Sequence, residues 1–207
     1  LDSKQKLIGP DWVWLLSFIL SGLMIVALAG PKIDTFKTVQ AKDNIDIIFV
    51  VDKSVSMAVK DVAPSRHEVM VKEIINFVGS PSIREGDRLT IFTFSEKSNW
   101  RMPLSQDREE FLDKLLEIEQ PKDRVYYDRS QLYTQFSVLL VHIPQALDTW
   151  DNFSKWYTYP RVVFIFSDGD NYDDNSLNAP LTVLARRDIK VYTIGVGTPR
   201  GGSITVK

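Results

Sequence analysis

The chain has no cysteine among its 207 residues and only two histidines, His67 and His142. Disulfides, thiolate metal sites and cysteine nucleophiles are therefore excluded. It also lacks a charge imbalance: 25 Lys and Arg stand against 27 Asp and Glu, so nucleic acid finds no basic excess to bind. Several catalytic signatures are missing. There is no Gly-x-Ser-x-Gly nucleophile elbow, no Gly-x-Gly-x-x-Gly turn after the first strand and no Walker loop. Cysteine-free chains occur in every compartment, so that absence fixes no location.

What the sequence does have begins with one long apolar run. Between Asp11 and Lys32 lie 20 uncharged residues, WVWLLSFILSGLMIVALAGP. As a helix they would extend about 30 Å, the thickness of a bilayer's hydrocarbon core. Trp12 and Trp14 fall where an aromatic belt would sit, and Gly30-Pro31 stops the helix. A buried core helix would need other long apolar segments around it, and the chain has none. A cleaved signal peptide would be shorter and end in small residues. Expected, then, are a polar lead over 1–11, a transmembrane helix over 12–31 and a polar linker over 32–44. Lys4 and Lys6 precede the run while Lys32, Lys37 and Lys42 follow it, so the positive-inside rule alone leaves the orientation undecided. The first residue is Leu1 rather than Met, which predicts a longer native chain.

From Ile45 onward, apolar runs alternate with amphipathic stretches. Ile45–Val51 reads as a parallel strand covered on both faces. A helix is expected from about Pro64 to Val78, with Pro64 in its first turn and Gly79 at its stop. A strand over Leu89–Ser95 precedes an antiparallel edge segment whose Trp100, Met102 and Leu104 should face one way. Helical stripes follow at 107–119 and from Thr134, with Pro144 expected to kink or end the second. A strand at 162–166, a helix at 179–187 and a strand at 189–196 complete the series. This order predicts a doubly wound, mostly parallel α/β sheet with one antiparallel edge strand over 45–207. The aromatic segment 149–160 is expected to pack on its own domain.

Two strands end alike: IIFVV leads into Asp52, and VVFIFS into Asp168. In open α/β sheets ligands bind beyond the carboxyl ends of the strands, where strand order reverses. If these strands are neighbours, two carboxylates meet there, and a divalent cation relieves their repulsion. After Asp52, Ser54 and Ser56 add two hydroxyls at alternate positions. Such hard oxygen donors suit magnesium, calcium or manganese. A cap and turn would explain Ser and Asp singly, but not the pattern after a buried strand with a second strand-terminal Asp downstream. Asp170, Asp173 and Asp174 read as a solvated acidic loop.

These residues resemble the von Willebrand factor A domain, whose metal-ion-dependent adhesion site (MIDAS) is Asp-x-Ser-x-Ser, then a Thr, then an Asp. The resemblance covers about residues 45–200 and implies a Rossmann-like fold. Asp52, Ser54, Ser56 and Asp168 match the motif directly, and Thr134 is the Thr that the resemblance implies. The family's glycines before that Thr are replaced here by Gln131-Leu132-Tyr133, which leaves Ser130 as an alternative. The apolar helix ending ALAGPK, the segment Asp61-Val62-Ala63-Pro64-Ser65-Arg66 and the strand end Ile194-Gly195-Val196-Gly197-Thr198-Pro199 resemble bacterial aerotolerance (Bat-type) membrane proteins. That resemblance implies a domain anchored in the inner membrane and facing the periplasm, with the lead over 1–11 on the cytoplasmic side. It also implies one bound cation, magnesium first, an acidic residue of a protein partner completing its coordination, and association with other A-domain membrane proteins and a MoxR-type AAA+ ATPase. The family fold further implies a strand and helix beyond Lys207, and then a second anchor. A metal-free scaffold and a magnesium-dependent hydrolase or phosphatase are the alternatives. The hydrolase is disfavoured by Ser at position 54, where an aspartyl phosphatase would carry a second Asp.

Overall fold

The computed structural model describes residues 11–29, 44–120, 134–154, 159–171 and 176–202. The polar lead up to residue 10, most of the linker, Ser130, Asp173 and Asp174 lie outside the described residues. The chain divides into two units, Leu1–Ala41 and Lys42–Lys207. The first holds helix α1, Asp11–Ala29, whose described side chains, including Trp14 and Phe18, are exposed. Among the described residues no helix is long and apolar enough to cross a membrane. The side chains of α1 are described for residues 13–24 alone.

The second unit contains β1 (Asp46–Asp52), a 3-10 turn (Val55–Ala58), α2 (Arg66–Val78), β2 (Arg88–Phe94), β3 (Ser98–Ser105), α3 (Arg108–Leu116), α4 (Phe136–Ser154), β4 (Arg161–Ser167), α5 (Asn178–Arg186) and β5 (Lys190–Gly195). The sheet order is β3-β2-β1-β4-β5. β1 pairs in parallel with β2 and β4, β4 with β5, and β3 runs antiparallel on β2. Every residue of β1 is buried, as a central strand covered by helices on both faces must be. Ile47, Phe49 and Val51 enter one core with α2 and α3, and Ile48 and Val50 the other with α4 and α5. The doubly wound expectation therefore holds, with strand order reversing between β1 and β4.

Two local expectations need correction, and a third is narrowed. Helix α2 begins at Arg66, not Pro64: the Ser65 hydroxyl accepts from the Glu68 amide and caps it, and Pro64 lies outside the helix. Met102 does not share a face with Trp100 and Leu104. Register shifts in the β2–β3 ladder turn it into the α2/α3 core, while Trp100 and Leu104 belong with the other core. Of the two outcomes expected at Pro144, a kink or an end, the end is excluded, because α4 runs through it to Ser154. The other strands and helices fall within a few residues of the expected bounds. Trp150 packs against the α4/α5 core and the Tyr159 ring lies 4.4 Å under the Arg88 guanidinium, so these two aromatics serve their own domain. His67 is buried with Nε2 3.2 Å from the Ile118 carbonyl, and His142 Nδ1 lies 3.0 Å from the Ser98 hydroxyl, both structural placements.

Candidate metal centre

The parallel β1–β4 ladder aligns Val51 with Phe166. One step further, the strand ends bring Asp52 beside Ser167, and Asp168 follows. Asp52 is fully buried. One of its carboxylate oxygens accepts from the Ser54 amide at 2.8 Å, and the other from the Ser167 hydroxyl at 2.6 Å. Burial, opposed in part by these hydrogen bonds and reinforced by the negative charge of Asp168, pushes its pKa up from 3.8 to about 6. The contrast with the far end of the same strand is informative. Buried Asp46 is held there by two guanidinium groups, Arg88 at 2.7 Å and Arg161 at 3.2 Å. The partners of Asp52 are serines, not cations.

The backbone beyond Asp52 is pinned by the Lys53 amide, which donates to the Phe94 carbonyl at 2.8 Å. It then turns so that the Ser54 and Ser56 hydroxyls lie 2.8 Å apart. Adjacent ligands on a magnesium octahedron are separated by roughly 3 Å, given bonds of about 2.0–2.1 Å. The hydroxyl pair therefore already has the spacing of two adjacent ligands. Thr134 is buried, and the amide of Gln135 donates to the Ser95 carbonyl just past β2, so Thr134 sits at the carboxyl end of β1's neighbour. Among the described residues no three or more acidic or histidine side chains gather to hold a metal. The donors here are two carboxylates and hydroxyls, which fit a hard divalent ion and suit zinc or copper poorly.

Asp168 brings in a group that the sequence reading left without a role. Its carboxylate accepts from Arg66 Nη1 at 2.6 Å. Arg66 also binds both oxygens of Asp61, at 2.9 and 3.0 Å, and Asp61 accepts from the Thr198 amide and hydroxyl. Arg66 thus joins the loop after β1, the end of β4 and the end of β5. Gly197 makes room for it: a Cβ at 197 would lie 3.0 Å from Arg66 Nε, and its φ of +145° disfavours any side chain. These contacts hold Asp61 well below the usual carboxylate range and push Arg66 up. The signal for Ser167 was present in the sequence, because laying IIFVVD against VVFIFS puts it opposite Asp52. Arg66 stood in the sequence only as the end of the segment Asp61–Arg66, with nothing local to pair it with Asp168.

Fold and site together define a Rossmann-like α/β domain with an oxygen-donor centre at its switch point. It belongs to the von Willebrand factor type A domain family, whose profile matches residues 47–171. An uncharacterized protein of Borreliella burgdorferi is 25% identical over 195 residues, spanning 92% of this chain and 52% of that protein, so the chain covers about half of that relative's length. The fold is similar to a conserved hypothetical protein, BatB, of Bacteroides thetaiotaomicron, with TM-score 0.63, 22% identity and coverage of 79% and 72% of the two chains. It is also similar to an aerotolerance-related membrane protein of Bacteroides fragilis, with TM-score 0.64, 21% identity and coverage of 79% and 73%. Proximal thread matrix protein 1 of the mussel byssus, with a zinc-occupied MIDAS motif, gives TM-score 0.58 at 18% identity and covers 75% and 39%. At these identities the structural likeness establishes the fold.

Proposed function

We propose that this domain holds one divalent cation, magnesium in first place, at Asp52, Ser54, Ser56, Thr134 and Asp168, and uses it to grip an acidic residue of a partner protein. The observation that carries the reading is Asp52: a fully buried carboxylate, aimed by two hydrogen bonds, with no cation partner and a preformed hydroxyl pair beside it. The ion supplies a positive centre with an exchangeable position. The chain's own part is to orient Asp52 through Ser54 and Ser167, and to neutralise part of Asp168 through Arg66. A less fully neutralised ion attracts an outside carboxylate more strongly. The zinc-occupied MIDAS of the mussel protein supports a divalent ion for this fold.

Membership of the Bat-type group, with α1 as an anchor in the bacterial inner membrane and the domain in the periplasm, extends the reading. It is supported by the uncharged run over 12–31, the exposed apolar side chains of α1 and the likeness to the aerotolerance-related membrane protein. On the same ground a MoxR-type ATPase and other A-domain membrane proteins are the proposed associates. The chain acts by binding and not by catalysis. A pulldown with the full chain, with and without chelator, tests the capture. Association should need the metal and weaken in Ser54→Ala; equal binding after chelation sinks the mechanism. A reporter fused after Lys207 that is active only in the cytoplasm would refute the placement, and magnesium-dependent turnover of phosphoesters would refute the binding-only reading.

A further inference from the structure

One residue away from Asp52 the surface changes sign. Lys53, Thr93, Ser95, Lys97, Asn99 and Arg101 line a pocket of about 140 Å³ at the turn end of the β2–β3 hairpin. Thr93 pairs with Asn99 across the ladder, and the Ser95 amide donates to the Lys97 carbonyl, so the strand ends fix the walls. Lys53 is half-buried at its edge, anchored by its amide on Phe94. Three cationic side chains therefore converge, and among the described residues no carboxylate lines the pocket. Glu119 acts on Lys53 only from outside the lining. Lys53 and Arg101 face the same cavity, so their like charges repel. A cluster of like charges around a cavity without a counter-charge in its lining is stabilised by an incoming anion.

We propose that this pocket is a second acidic-group subsite: it takes a carboxylate of the same partner whose other carboxylate reaches the metal. The proposal rests on the capture reading and refines it. The partner is then a protein segment carrying two acidic side chains, and the pair of subsites selects by their spacing. A lone Asp or Glu, present on any protein surface, satisfies only one subsite.

The test uses the full chain in mild detergent with magnesium, titrated with fluorescein-labelled glycine peptides carrying either one Glu or two Glu separated by one to four glycines. Linking two weak contacts raises affinity by their effective concentration. The best two-Glu peptide should bind at least about tenfold tighter than the one-Glu peptide. Replacing Lys97→Gln and Arg101→Gln together should remove that advantage, while leaving one-Glu binding and calorimetric magnesium affinity unchanged. Both side chains are exposed, so the double variant is expected to fold. Equal affinity of the two peptides, or a two-Glu advantage that survives the double variant, overturns the subsite. If chelation leaves one-Glu binding intact but the double variant still abolishes the two-Glu advantage, the metal-capture reading fails and the cationic subsite stands. If inorganic phosphate displaces the second contact at far lower concentration than acetate, the pocket is a phosphate site and the carboxylate assignment is wrong.

Discussion

Asp52 shows what burial does to an ordinary carboxylate. Enclosure disfavours its charge, the hydrogen bonds from Ser54 and Ser167 fix both oxygens, and a cation is the charge that the site lacks. Asp52→Asn keeps the shape and removes the charge. It should lower magnesium or manganese affinity by about a hundredfold or more, read by calorimetry, because ligands must be ionised to bind. The metal-free variant should remain folded by circular dichroism, since the substitution removes a costly buried charge. A pH dependence follows. Between the ordinary value of 3.8 and the folded value of about 6, the folded domain holds a proton on Asp52 that the unfolded chain has released. Metal-free stability on this account falls as pH rises through that window. Metal binding displaces the same proton, so magnesium affinity should rise about tenfold per pH unit up to about pH 6 and then level off. A flat affinity profile between pH 4.5 and 7 would contradict the assignment.

Among the elements, α2 has a duty beyond covering the sheet. Its first residue, Arg66, reaches Asp61 after β1, Asp168 after β4 and, through Asp61, Thr198 after β5. Helix and strand ends are thereby locked around the centre. Arg66→Met should cost about 3–5 kcal/mol in urea unfolding, because it strands two carboxylates that the guanidinium now pairs. Arg66→Lys, with one ammonium in place of a planar fork, should recover only part of the loss. A loss below 1 kcal/mol for Met would mean that Asp61 and Asp168 are solvated well enough without it. The Met102 inversion belongs to this scale too. A β-bulge re-aims one side chain of an alternating strand into the opposite core, and alternation in sequence carries no mark of where a ladder slips.

For the whole molecule, the separation into Leu1–Ala41 and Lys42–Lys207 has a direct consequence. Each sheet face is covered from within the second unit, by α2 and α3 on one side and α4 and α5 on the other. Removing residues 1–41 should therefore leave the thermal midpoint of the domain and its magnesium affinity unchanged, while changing how the chain partitions between detergent and water. A shift of several degrees in that midpoint would show that the first unit contributes to the domain's core.

The order of elements, the doubly wound sheet and the meeting of two Asp-terminated strands at its switch point were legible in the sequence. Continuous apolar runs mark strands buried on both faces, and hydrophobic periodicity marks the helices between them. Placing a hydroxyl-rich turn and a second Asp at strand ends needs only the rule that ligands gather at the carboxyl ends of such strands. What the tertiary structure alone decided was who neutralises whom. Asp52 faces Ser167 because two strands 115 positions apart lie side by side. Asp168 meets Arg66 across 102 positions. The cationic pocket exists because a hairpin brings Lys97 and Arg101 to the Lys53 side of the site. Such contacts depend on strand register and on which face each helix covers. Local sequence patterns fix the period of a segment but not the partner that it meets.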